Sequence, residues 1–315
     1  MEYRQLGRTD MRVSILAYGA SPLGDVFGTT DEREGARAVH TALDGGINFF
    51  DVAPFYGDTL AETRLGKALK GKRSDVYLAT KCCRYGDGSF DFSAKRIMSS
   101  IDESLARLQT DYVDLYQVHD IEFGDREQVL NEAIPAALRM KEQGKARYVG
   151  FSGLPVRYLA DIARLVEVDT VLSWGHYTLL NDEINDELVP LSQQRGFGLL
   201  NAAPLMQRIL SDAPVPAWQQ SPPEVKAIRP RLLELCREYG VALSDVALRY
   251  ALDHPHIATT IVGMAEPDYV AQNLRVLDFT PPDGLLEALM ETIAPVKNQM
   301  WYEGKPENNL SKPLP

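Results

Sequence analysis

Short apolar runs of strand character recur along the chain at fairly even intervals, at 15–19, 47–53, 76–81, 112–119, 147–152, 171–175, 198–203 and 259–264. Segments of helical period separate them. Ile97, Ile101, Leu105 and Leu108 follow steps of four, four and three, which lays all of them on one face of a helix. Ser93 is placed to cap that helix, and Ser244 to cap the one over 246–252. Strands alternating with helices predict parallel pairing through right-handed crossovers. Eight such units predict closure into a (β/α)₈ TIM barrel rather than an open sheet.

Two apolar stretches at the start, 3–6 and 13–15, flank Gly7, Arg8, Thr9 and Asp10, a turn-rich signature that predicts an N-terminal β-hairpin plugging the bottom of the barrel. After the eighth strand come Pro281 and Pro282, a helix to about residue 294, and a tail rich in Pro, Asn and Gly that is expected to lie over the active face. No low-complexity linker interrupts the chain, so 1–315 is read as one domain. A dinucleotide-binding open sheet is the obvious competitor, but no strand is followed by a Gly-x-Gly-x-x-Gly turn.

Composition narrows the partners. With 33 basic against 44 acidic residues the net charge is −11, which argues against nucleic acid or an anionic membrane surface. Neither a signal-peptide pattern nor an apolar run of about 18 residues is present, so a cytoplasmic protein is expected. Cys82, Cys83 and Cys236 cannot form a disulfide framework in a chain this long.

The reacting groups of a (β/α)₈ barrel sit at the C-terminal ends of its strands. Asp51 ends the second predicted barrel strand, Lys81 the third and His119 the fourth, while Tyr56 lies in the loop after Asp51. Each has an ordinary alternative: a turn hydrogen bond for Asp51, packing for Tyr56, a solvated strand end for Lys81, a satisfied semi-buried ring for His119. Their joint placement on one rim points to chemistry instead. Moving a hydride to or from a carbonyl carbon requires a proton at the oxygen. A phenol titrates near pH 10, and an ammonium about 4 Å away favours its anion by up to ~4 kcal/mol at an effective dielectric near 20. Tyr56 is thus the candidate general base and Lys81 the group that lowers its pKa. Asp51 anchors Lys81, and a neutral His119 orients the substrate oxygen.

With these residues the sequence resembles the aldo-keto reductases, whose Asp, Tyr, Lys and His occur in this order and context. The matching stretches are 45–57, ending Phe-Phe-Asp-Val-Ala-Pro-Phe-Tyr-Gly, then 79–81, Ala-Thr-Lys, and 114–119, Asp-Leu-Tyr-Gln-Val-His. A narrower likeness is to the members that oxidise L-galactose, L-fucose and other aldoses at the anomeric carbon. It rests on 19–24, 84–86, 90–94, 100–105, 119–124 and 295–298 with Trp301.

The resemblance implies a nicotinamide cofactor held by Ser152, Trp174, Pro204, Leu205, Gly263, Gln272 and Asn273, with Ser173 as a substitute contact. Three positions depart from the family pattern: Gly153 replaces an asparagine, Trp174 a glutamine, and Ala202 a stacking tyrosine. NADP-dependent members carry an arginine where Tyr269 stands. From 263 to 273 there is no Lys or Arg, while Glu266 and Asp268 are acidic, so NAD is the expected cofactor. Those two acids are also suited to the first turn of a helix.

Asp120, Glu122 and Trp301 are candidates for contacting a sugar, the acids as hydrogen-bond acceptors and the indole as a stacking cover. As alternatives, the acids belong to a solvated loop and Trp301 is a surface anchor. The expected reaction is NAD-dependent oxidation of an aldose, L-galactose first and L-fucose close behind, to the aldonolactone, with no metal. The competing readings are another aldehyde or ketone reductase of this family, a Schiff-base aldolase working through Lys81, or a non-catalytic cofactor-binding module.

Overall fold

The structure, a computed structural model, describes residues 1–309 apart from Asp87; positions 310–315 of the expected domain lie outside the described residues. The N-terminal hairpin pairs β1 (Tyr3–Gln5) with β2 (Arg12–Ser14) antiparallel. Eight parallel strands then close a barrel: β3 (Leu16–Gly19), β4 (Phe49–Asp51), β5 (Tyr77–Cys82), β6 (Val113–Val118), β7 (Ala146–Gly153), β8 (Thr170–Trp174), β9 (Gly198–Ala202) and β10 (Thr259–Gly263). β10 pairs with both β9 and β3, which completes the ring.

Side-chain alternation sorts each strand into an inner and an outer set. Ala17, Phe49, Ala79, Leu115, Leu172 and Leu200 fill the barrel from within, and Leu6, Met11 and Val13 of the hairpin region join the same buried cluster. The hairpin therefore closes the bottom of the barrel with apolar side chains. Outward-facing residues such as Phe50, Tyr116, Phe151 and Val171 pack under the helical layer.

Helix Ala94–Leu108 is capped by Ser93, whose hydroxyl accepts from the Arg96 N–H, and buries Ile97, Ile101 and Leu108 on one face. Ser244 departs from expectation. Its helix runs Leu243–Leu252 with Ala242 at the N-cap, and the Ser244 hydroxyl donates to Asp212. The start of a helix in an apolar stretch is set by what its first turn packs against, and here Leu243 is fully buried.

Two helices stand outside the eight-fold repeat, Pro223–Glu238 and Leu285–Ile293. They form a second cluster through Val225, Leu232, Leu285, Leu289 and Ile293, and Trp301 of the tail packs into it. No helix of the described residues is long and apolar enough to cross a membrane.

Candidate active site

Strain in the backbone concentrates at one end of the barrel. Asp58 (φ 48°), Thr59 (φ 71°), Cys83 (φ 73°), Asp120 (φ 50°) and Ala203 (φ 55°) all occupy the left-handed region just beyond the C-terminal ends of β4, β5, β6 and β9. Non-glycine residues pay roughly 1–3 kcal/mol for that conformation, and they persist where the surroundings over-determine them.

The four expected catalytic residues come together on this rim, on three consecutive strands. Asp51 ends β4, Lys81 lies near the end of β5, and His119 directly follows β6. All three share the register of inward-facing Phe49, Ala79 and Leu115, which turns them into the barrel mouth. Lys81 is 2% exposed, and its ammonium donates to Asp51 Oδ1 and, at 2.9 Å, to the Val52 carbonyl. It lies 5.2 Å from the centre of the Tyr56 ring, which meets the His119 ring edge-on at 6.0 Å between centroids.

Sequence reasoning missed Gln117. From the inner face of β6 it donates to Asp51 Oδ2 at 3.1 Å, so the carboxylate is held by two strands. The signal was present: Gln117 is a polar residue two positions before His119, hence on the same face.

Opposing influences act on the protons of this cluster. Burial pulls the Lys81 ammonium down, but Asp51 and Tyr56 outweigh it and hold the pKa above its ordinary value. Burial pushes the Tyr56 phenol up, the Lys81 charge pulls it back, and Asp51 and Asp120 push it up again, for a net upward shift. The expectation that Lys81 assists the phenolate describes one of these influences. The net shift is upward all the same, because removal from water disfavours the phenolate more than the Lys81 charge favours it. Burial, then Lys81 and Arg84, drive the His119 pKa well below 6.5, so the ring is neutral at pH 7.

The expected cofactor residues occupy the other half of the rim. Ser152 faces inward from β7, its hydroxyl accepting from the Asp120 N–H at 3.3 Å. Trp174 ends β8 facing inward beside Ala202. Pro204 and Leu205 follow β9, and Gly263 ends β10 with an exposed backbone. Helix Pro267–Arg275 carries Gln272, which donates to Asp245 at 3.2 Å, and Asn273. These strand ends form a contiguous arc from β7 to β10 facing the arc from β4 to β6 that carries Asp51, Lys81 and His119. Ser173 does not join this arc. It lies between inward-facing Leu172 and Trp174, so its buried hydroxyl points to the outer layer, where it has no hydrogen-bond partner.

The three expected sugar-contacting residues fare differently. Asp120 lies beside the reacting groups, its Oδ2 3.5 Å from His119 Nε2 and 2.6 Å from an Arg84 nitrogen. Glu122 is completely buried. Its Oε1 accepts from the Leu154 N–H, and a Cβ at Gly153 would stand 2.4 Å from its Oε2. Glu122 therefore does not face a sugar; it fills the space beside Gly153, the position where the family pattern carries an asparagine. Trp301 is 8% exposed, packs on Trp174 at 5.8 Å and donates to Glu303, and it lines a cavity of about 170 Å³ whose lining does not include Tyr56. It anchors the tail.

The tail is fixed to this side of the barrel through Glu122. The Glu122 carbonyl accepts from the Lys305 N–H at 2.9 Å and from the Asn308 amide at 2.8 Å, and the same amide donates to the Gly124 carbonyl.

Fold and site together define a (β/α)₈ oxidoreductase, and the chain belongs to the aldo/keto reductase family, whose model matches residues 15–292. Members of this family work with nicotinamide cofactors. Among relatives, the chain is 40% identical to an L-galactose dehydrogenase of Arabidopsis thaliana, covering 98% of this chain and 99% of that one. It is 27% identical to a D-threo-aldose 1-dehydrogenase of a Pseudomonas species, over 89% and 94% of the two chains. Among solved structures, the holo form of an aldo-keto reductase from Bacillus halodurans matches with a TM-score of 0.78 at 31% identity, covering 96% of this chain and 98% of that one.

Proposed function

We propose that this protein oxidises the anomeric carbon of an aldose to the aldonolactone with NAD, with L-galactose the first substrate to test and L-fucose the second. The single observation that supports this most is the likeness over nearly the full length to an L-galactose dehydrogenase. The apposition of Tyr56, Lys81, Asp51 and His119 at the barrel mouth agrees with it.

Under this reading the sugar's anomeric hydroxyl lies against Tyr56 and His119. Tyr56, as the phenolate that Lys81 favours, accepts its proton and becomes the phenol, and Asp51, steadied by Gln117, keeps Lys81 in place. Neutral His119 donates a hydrogen bond to the same oxygen and fixes its direction. The chemistry supplied by a bound nicotinamide is hydride acceptance. Ser152, Trp174, Pro204, Leu205, Gly263, Gln272 and Asn273 would hold the cofactor. Tyr269 is exposed, and no cation lies between 263 and 273 to pair with a 2′-phosphate, which favours NAD over NADP.

The Schiff-base alternative fails on the charge of Lys81: an ammonium held by a buried carboxylate is not a free amine. Recording the absorbance of reduced cofactor across a panel of free sugars, with NAD and NADP in parallel, tests the proposal. Oxidation of L-galactose and L-fucose ahead of unrelated aldoses supports it; activity confined to non-sugar aldehydes would overturn it.

A further inference from the structure

Arg84 has no part in the reaction as described so far, yet it is ion-paired with Asp120 beside the reacting groups. It follows Cys83, whose φ of 73° turns the chain sharply at the end of β5. The guanidinium lies 3.7 Å from the centre of the Phe55 ring, with Phe90 and Phe123 stacked on each other at its other edge. From there it donates to Asp120 Oδ2 at 2.6 Å. A guanidinium held over an aromatic ring and by a carboxylate has little rotational freedom left, so the carboxylate it grips is aimed as well.

Asp120 is itself fixed from three sides. Its φ of 50° sets the direction of its side chain, its N–H donates to Ser152, and Arg84 holds Oδ2. Only 3% of the residue is exposed, and Oδ1 accepts no hydrogen bond among the described residues. That oxygen is therefore free to accept from a ligand hydroxyl beside the reacting groups.

Distance selects the ligand group. Asp120 Oδ2 is 3.5 Å from His119 Nε2. Oxygens on adjacent ring carbons of a sugar lie roughly one hydrogen-bond length apart. An anomeric oxygen on His119 therefore brings the neighbouring hydroxyl within reach of the Asp120 carboxylate.

We propose that Asp120 accepts a hydrogen bond from the hydroxyl next to the anomeric carbon, and that Arg84 is the positioning residue that keeps this carboxylate aimed. The inference rests on the aldose reading and adds to it the hydroxyl being read. It makes an α-hydroxy aldehyde unit, rather than any aldehyde, the substrate class.

The test compares L-galactose, L-fucose and 2-deoxy-L-galactose in the wild-type holoenzyme and in Asp120→Asn, Arg84→Met and Arg84→Lys, with kcat and KM resolved separately. Melting temperature and NAD binding by tryptophan fluorescence report folding. Wild type should prefer L-galactose over its 2-deoxy analogue by at least about tenfold in kcat/KM, because an acceptor built for a hydroxyl is left unpaired without it. In Asp120→Asn and Arg84→Met that preference should collapse to under about threefold, mostly through KM for L-galactose, as a double-mutant cycle requires of coupled groups. Arg84→Lys should restore part of it. A purely structural role would slow both sugars equally. Should Asp120→Asn fail to fold, the Arg84 pair decides alone. A preference kept in full by folded variants overturns the inference and leaves the aldose reading standing. A wild type that oxidises no aldose overturns both.

Discussion

Gln117 and Lys81 grip the two oxygens of Asp51 from neighbouring strands, the amide at Oδ2 and the ammonium at Oδ1. The carboxylate is thereby held at both oxygens, and the position of Lys81 depends in part on Gln117. Replacing Gln117 with Leu should lower kcat about three- to tenfold while KM changes little, because it loosens a positioning contact worth about 1–2 kcal/mol. Steady-state kinetics with L-galactose checks this, and an unchanged kcat would show that Lys81 alone suffices to hold Asp51.

Tyr56→Phe keeps the ring against His119 and removes the proton carrier. Turnover should fall about a hundredfold or more with NAD still bound. Fluorescence titration with NAD separates the two quantities; lost NAD binding would assign Tyr56 to the cofactor instead.

The pH profile follows from the shift on Tyr56. Burial raises the phenol's pKa above 10 and Lys81 pulls against that rise. Oxidation, which uses the phenolate, should climb steadily from about pH 7 to about pH 10, and reduction, which uses the phenol, should decline over the same range. Lys81→Met removes the downward pull, so the rising limb of any residual activity moves to higher pH. His119, already neutral at pH 7, should add no limb above its depressed pKa. Identical profiles in wild type and Lys81→Met would dissociate Lys81 from the proton transfer.

Cofactor choice is measurable as a ratio. With no cation from 263 to 273 and two acids beside an exposed Tyr269, kcat/KM should favour NAD over NADP by at least about tenfold, or ~1.4 kcal/mol. Tyr269→Arg should narrow that ratio by supplying a phosphate partner. Equal efficiency in wild type would remove the reason for reading this loop as selective.

Asn308 is 3% exposed and ties the tail to the Glu122 and Gly124 carbonyls. Asn308→Ala should cost about 1–3 kcal/mol, since the buried Gly124 carbonyl loses the amide donor and the Glu122 carbonyl keeps only the Lys305 N–H. Thermal unfolding measures it; a loss near zero would mean that water replaces the amide.

The periodicity of the chain determined its fold, because alternation and helical spacing are local properties that tolerate no other regular closure of eight units. It also placed Asp51, Tyr56, Lys81 and His119 on one rim, since strand ends can be read from where apolar runs stop. Tertiary structure decided what those groups experience. The Tyr56 proton depends on how completely packing excludes water, which no local pattern encodes, and the result is a rise where charge counting led to a fall. Glu122 and Asp120 lie two positions apart in one acidic loop and look alike in sequence. A left-handed turn at Asp120 aims one carboxylate at the reacting groups, and the space left by Gly153 takes in the other. Ser173 reads as a rim residue, yet strand twist and register turn it outward. Side-chain direction at the end of a strand is fixed by the neighbouring strand and helix, and those come from distant parts of the chain.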